Sequence, residues 1–208
     1  MRFLAVAILV AAQAGGAKYS PARALNAFLP ISQPPMAVAG GEVLLEVLVD
    51  ARGGIRDVQT LRATPPFTTL VLDAVRTWNF APATLANPNE KPREVESSVL
   101  VAGVFRPPAI YNQPGLGDPP KTLKKPSDRV PFPTQMTMPA YPPQALFDGI
   151  VLLEVGVTPA GTVSEARIIG SGSGFEKVSL EAVRDWRFTP TKNPSYVYVI
   201  FGFRQPVI

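Results

Sequence analysis

The stretch Val43-Leu44-Leu45-Glu46-Val47 returns as Val151-Leu152-Leu153-Glu154-Val155, a shift of 108 positions, and the fold is read outward from this pair. At the same shift Pro34-Pro35 falls on Pro142-Pro143, Gly41 on Gly149, Gly53 on Gly161 and Phe67 on Phe175. Leu72 falls on Leu180, Ala74-Val75-Arg76 on Ala182-Val183-Arg184, and Trp78, Phe80 and Pro82 on Trp186, Phe188 and Pro190. One offset held this long without an insertion marks an internal repeat. Phe105-Arg106 then matches Phe203-Arg204 at a shift of 98, so the first copy carries ten extra residues around Leu85 to Arg93. Loops tolerate such an indel.

Within each copy the residue pattern predicts β-β-α-β. Val43, Leu45, Val47 and Val49 alternate with Leu44, Glu46, Leu48 and Asp50, and Val151, Leu153, Val155 and Val157 do the same against Leu152, Glu154 and Gly156. This is strand period with one face on a core. Asp50-Ala51-Arg52-Gly53-Gly54 and Thr158-Pro159-Ala160-Gly161 supply the glycines of a tight reversal into second strands over Ile55 to Leu61 and Val163 to Ile169. Phe67, Leu70, Ala74, Val75 and Trp78, like Phe175, Val178, Ala182, Val183 and Trp186, recur at helical spacing. Pro82 and Pro190 follow those helices, and Val95 to Phe105 and Tyr196 to Phe203 supply a last strand. A short leading helix is expected at Ala37-Val38-Ala39 and at Pro143 to Phe147. The fold class is therefore α+β, with an antiparallel three-stranded sheet and one packed helix per module.

Residues 107–140 hold nine prolines with Lys121, Lys124, Lys125 and Arg129 and show no apolar period, which reads as a Pro-rich, extended linker. The expected layout is a signal peptide at 1–14, a lead-in at 15–33, a first module at 34–106, the linker at 107–140 and a second module at 141–208. Met1-Arg2, the apolar run Phe3 to Ala12 and Ala12-Gln13-Ala14 have the order of a secretory signal cleaved after Ala14. The competing reading is an uncleaved anchor in the inner membrane, but the run is well short of the roughly 20 residues of a spanning helix. Without the segment, the net charge of +4 falls to +3, too small a bias to name a partner. The chain has no cysteine, which excludes disulfides, thiolate metal sites and an acylated lipoprotein cysteine.

Ala140-Tyr141-Pro142-Pro143-Gln144-Ala145, then Val157-Thr158-Pro159-Ala160-Gly161, then Leu180-Glu181-Ala182-Val183-Arg184-Asp185-Trp186-Arg187-Phe188-Thr189-Pro190 resembles the C-terminal domain of TonB from end to end. The first copy departs from the pattern, with Gln33 in place of the tyrosine, Asn79 for the arginine and a longer loop before its last strand. The resemblance implies two tandem TonB C-terminal-like modules and a periplasmic location. In that family the last strand captures an extended segment, the TonB box, of an outer-membrane TonB-dependent receptor. Such β-augmentation uses the free N–H and C=O groups of a sheet edge. Carried over, the partner-binding residues are Tyr196, Val197, Tyr198, Val199, Ile200, Phe201, Gly202 and Phe203, with Tyr141 and Pro142 of the family's opening. The family's energising parts, a membrane helix with a serine and a histidine, are not in the match, and the chain has no histidine.

Several sharper signals have plainer readings. Trp78 and Trp186 lie on the apolar stripe of their helices and read as core. Glu46 and Glu154 read as solvated carboxylates on the less apolar strand face. Gly170-Ser171-Gly172-Ser173-Gly174 lacks the lysine-serine ending of a phosphate loop and reads as a strand-to-helix connection. The lysines of the linker have no interleaved aromatics, which argues against nucleic acid. Arg76 and Arg184 recur at one helical position and suit either an ion pair within the module or a carboxylate of a bound peptide.

With neither His nor Cys, the chain lacks the usual general base and thiol nucleophile, and no enzyme, cofactor, metal or small-molecule substrate is expected. Two functions follow as expectations. One is a periplasmic protein-binding module of TonB type, acting in transport across the outer membrane by strand addition at Tyr196 to Phe203. The other is a non-energised structural or scaffolding envelope protein whose two modules pair edge to edge, last strand on last strand, or which forms a homodimer.

Overall fold

The computed structural model describes residues 17–29, 33–35, 39–107, 115–117, 124–171 and 174–205, with backbone alone for 115–117. The signal segment 1–14, Ala37, Val38, Lys121, Gly172 and Ser173 lie outside the described residues. The first half runs β1 (Lys18–Ser20), β2 (Arg23–Ala24), β3 (Gly41–Val49), β4 (Ile55–Arg62), α1 (Phe67–Val75), β5 (Phe80–Ala81), β6 (Ala83–Ala86), β7 (Arg93–Val95) and β8 (Ser97–Phe105). The second runs β9 (Gly115–Gly117), β10 (Pro133–Met138), β11 (Gly149–Val157), β12 (Val163–Ser171), α2 (Glu176–Arg184), β13 (Arg187–Phe188) and β14 (Ser195–Phe203).

The two hairpins turn at Gly53 and Gly161, with φ of +84° and +82°. An L side chain there would be strained, and a Cβ would sit 1.9 Å from the Phe80 carbonyl oxygen or 2.1 Å from that of Phe188. Each turn is closed against the segment after its helix, Phe80 N–H donating to Gly53 O at 3.0 Å and Phe188 N–H to Gly161 O at 2.8 Å. Hairpin and helix exit are thereby tied together in the same way in both halves.

β3 pairs antiparallel with β4 and β8, and β11 with β12 and β14. β14 and β8 then pair with each other in parallel, Val197 opposite Leu100 and Phe201 opposite Val104, giving one six-stranded sheet in the order β12-β11-β14-β8-β3-β4. The two three-stranded sheets expected of separate modules are thus one. A two-fold axis that keeps neighbouring strands parallel turns the sheet over between halves, so the two helices sit on opposite faces. One core gathers Phe67, Val71, Val75 and Trp78 of α1 and its exit with Leu45 and Val47 of β3, and also takes Leu152, Tyr198 and Ile200 from the second half. The other core gathers Phe175, Ala182, Val183 and Trp186 with Val151, Leu153, Val199 and Phe201, and takes Leu44, Leu100 and Ala102 from the first half. All nine residues of β8 and of β11 are buried, as expected of strands covered on both faces.

The short strands fasten the segments that precede each hairpin. β2 pairs with β5 after α1, and β10 pairs with β13 after α2. The ten-residue insertion of the first half forms the β6–β7 hairpin, which holds β1 on its outer side. Two further expectations change. The stretch 107–140 contains β10, which packs against α2, and Val130 and Met136 are buried in the second core. At Pro143 to Phe147 there is no helix but a single turn, closed by Ala145 N–H on Pro142 O at 3.0 Å.

Candidate functional site

β14 is built from alternating side chains that serve both cores. Val197, Val199, Phe201 and Phe203 point to the α2 side, while Tyr198 and Ile200 point to the α1 side. Trp186 meets Phe201 edge-on at 5.8 Å, and Trp78, from the other half, meets Tyr198 at 5.4 Å. Gly202 leaves room for the Phe105 ring, which a Cβ would approach to 2.4 Å. Both tryptophans are core residues, with their Nε1–H groups donating to Phe28 O and Thr137 O at 2.9 Å.

The strand expected to offer an open edge is therefore an inner strand, with β11 on one side and β8 on the other. Its backbone groups are already used by the chain itself. Tyr141 is buried, donating to Phe147 O at 2.8 Å and packing edge-on against Phe175 at 5.6 Å. Burial pushes its hydroxyl above the usual tyrosine value. Pro142 O accepts from Ala145 N–H to close the turn that follows, and Tyr141 reaches the last strand through Phe175, whose ring stacks on Phe203 at 4.5 Å.

The outer edges are β4 and β12. Each carries two bulges at equivalent places, Arg56 and Leu61 in β4, Ser164 and Ile169 in β12, where the register against β3 or β11 shifts. Arg56, Asp57, Glu165 and Arg167 are exposed along them. Bulges and charges twist an edge and oppose addition of a further strand.

The carboxylates of the repeat are not solvated as their position in the pattern suggested. Glu154 accepts from Arg23 Nη2 and Arg167 Nε, both at 2.7 Å, and from the Tyr198 hydroxyl at 3.2 Å. Burial pushes its carboxyl up, but the bonds from Arg23 and Arg167 outweigh this and hold it below the ordinary 4.5. Burial drives the Tyr198 hydroxyl well above its usual range. Glu46 accepts from the Ser127 N–H at 3.0 Å and from the Ser127 hydroxyl. Each glutamate is thus covered by the lead-in segment of the opposite half, because its strand face lies opposite its own helix.

Gln33, where the pattern of the second copy has tyrosine, is a buried clasp, its amide donating to Phe203 O at 2.7 Å and Gly149 O at 3.3 Å. Arg76 lies 3.7 Å from Asp73 on an exposed helix face. Nothing local in the sequence signals these cross-links between halves beyond the lack of a clearly polar strand face.

In the second half a hairpin, a helix with a tryptophan at its exit and a closing strand make an α+β fold consistent with a TonB C-terminal-like domain. Residues 137–204 match the family model described as Gram-negative bacterial TonB protein C-terminal. No curated protein and no solved structure matches the chain. Among the described residues no helix is long and apolar enough to cross a membrane.

Proposed function

We propose that this chain is an exported, periplasmic TonB-like protein that works as a non-energised scaffold beside outer-membrane receptors, its two halves locked together through their last strands. The family match supports the envelope setting and the link with receptors. The observation that carries the scaffold reading is the pairing of Val199 with Leu153 on one side and Ala102 on the other.

Capture of an extended receptor segment at Tyr196 to Phe203 would require β8 to leave. That strand buries Val99, Leu100, Val101, Val104 and Phe105. At roughly 2 kcal/mol for each buried apolar side chain, re-exposing them costs on the order of 10 kcal/mol. A peptide held at micromolar affinity returns only about 8 kcal/mol.

The test is a ¹H–¹⁵N titration of the chain with receptor-box peptides, combined with amide exchange. The scaffold reading expects silent, slowly exchanging amides over 196–203 and 97–105. Peptide-induced shifts in β14 accompanied by loss of protection in β8 would replace it with strand capture.

A further inference from the structure

Arg106 and Arg204 occupy equivalent places, each one residue past the end of its last strand. Arg204 is neutralised: its Nη1 lies 2.7 Å from Asp148 Oδ2, while Gln205 N–H donates to Asp148 Oδ1 at 2.7 Å. The residue equivalent to Asp148 in the first half is Gly40, at the shift of 108. No side chain fits there, since a Cβ would lie 2.6 Å from Pro107 Cδ and 2.8 Å from Phe105 O.

Arg106 consequently has no carboxylate in ion-pair range among the described residues. Its Nη1 donates to the Pro139 carbonyl, and burial draws its pKa below the usual arginine value. A half-buried guanidinium without an anion is costly unless one is supplied. It lines a cleft of about 430 Å³, with Gly40, Gly41, Val104, Pro107 and Met138 around it. Across the cleft Arg62 and Glu42 pair at 2.7 Å, which leaves Arg106 as the excess charge among the described residues that line it. Pro107, in the place of Gln205, has no N–H to offer, so the guanidinium is the anchor.

We propose that this cleft binds a peptide carboxylate, held by the Arg106 guanidinium, with the adjoining apolar group of the peptide against Pro107 and Met138. The carboxylate comes either from an acidic side chain or from a C-terminus, and the chemistry at Arg106 is the same.

The experiment follows the Arg106 Nε–H and the Gly40 and Gly41 amides of the full chain in ¹H–¹⁵N spectra. The probes are Gly-Gly-Leu-Leu with a free C-terminus, its C-terminal amide, and N-acetyl-Gly-Glu-Leu-amide. A carboxylate probe is expected to move all three signals, to lose affinity as salt is raised, and to leave Arg204 Nε–H still. The better of the two carboxylate probes identifies the source. Arg106→Gln is expected to weaken binding by roughly tenfold or more, the value of a charged hydrogen bond. Arg106→Lys, which keeps the charge, retains salt-sensitive binding and serves where the glutamine variant does not fold. Equal binding of the neutral amide, indifference to Arg106→Gln, or silence with every probe would overturn the assignment.

Discussion

Arg23 and Glu154 meet at 2.7 Å although 131 residues separate them in the chain. The arginine belongs to the lead-in of the first half and the glutamate to the first long strand of the second. Their contact exists only because the sheet turns over between β8 and β14.

Replacing Glu154 by glutamine should destabilise the chain by about 2 kcal/mol at neutral pH, the scale of a charged hydrogen bond, moderated because both arginines are partly exposed. The carboxyl is held below 4.5, so its stabilisation is present above that pH and disappears as pH falls through the lowered value. Urea midpoints of the two proteins should therefore converge on acidification.

Proline at Val199 distinguishes an inner strand from an edge. At an edge it would leave the rest of the domain folded. Here it removes a donor in mid-sheet and should cost at least about 3 kcal/mol, seen as loss of the cooperative thermal transition by circular dichroism.

Residues 107–208 expressed alone would uncover the β14 edge together with Leu152, Tyr198 and Ile200, which pack in the core of the first half. Light scattering should find this fragment self-associated, whereas the full chain lacks that exposed surface. A monodisperse fragment with a free β14 edge would show that the two halves are independent.

Alanine at Gly53 or Gly161 should each lower stability by more than about 1 kcal/mol, since both the positive φ and the close carbonyl oppose a Cβ. Equal losses at the two turns, measured by chemical denaturation, would reflect their common tie to the helix exit.

The hairpins, helices and last strands were legible in the sequence because glycine turns, strand alternation and helical spacing are local signals. The second face of the sheet was not. Leu44 and Leu152 stand in the rows read as the less apolar face, and Glu46 and Glu154 suggested water where the lead-in of the other half lies. The short strands β1, β2 and β5 were too brief to show a period, and β10 lay within a proline-rich stretch. For the candidate site, Tyr196 to Phe203 was correctly read as a strand, but its neighbour β8 is set by long-range topology. Arg106 became informative only when compared with Arg204.

The parallel pair also sets the order in which the molecule can be assembled. Leu100 must wait for Val197, 97 positions later, before the central seam can close. Hairpins and helices are local and can form early, but neither core is complete until β14 arrives, and closing so long a loop favours slow folding. A chain made from the N-terminus would hold β8 open until nearly all of it had followed.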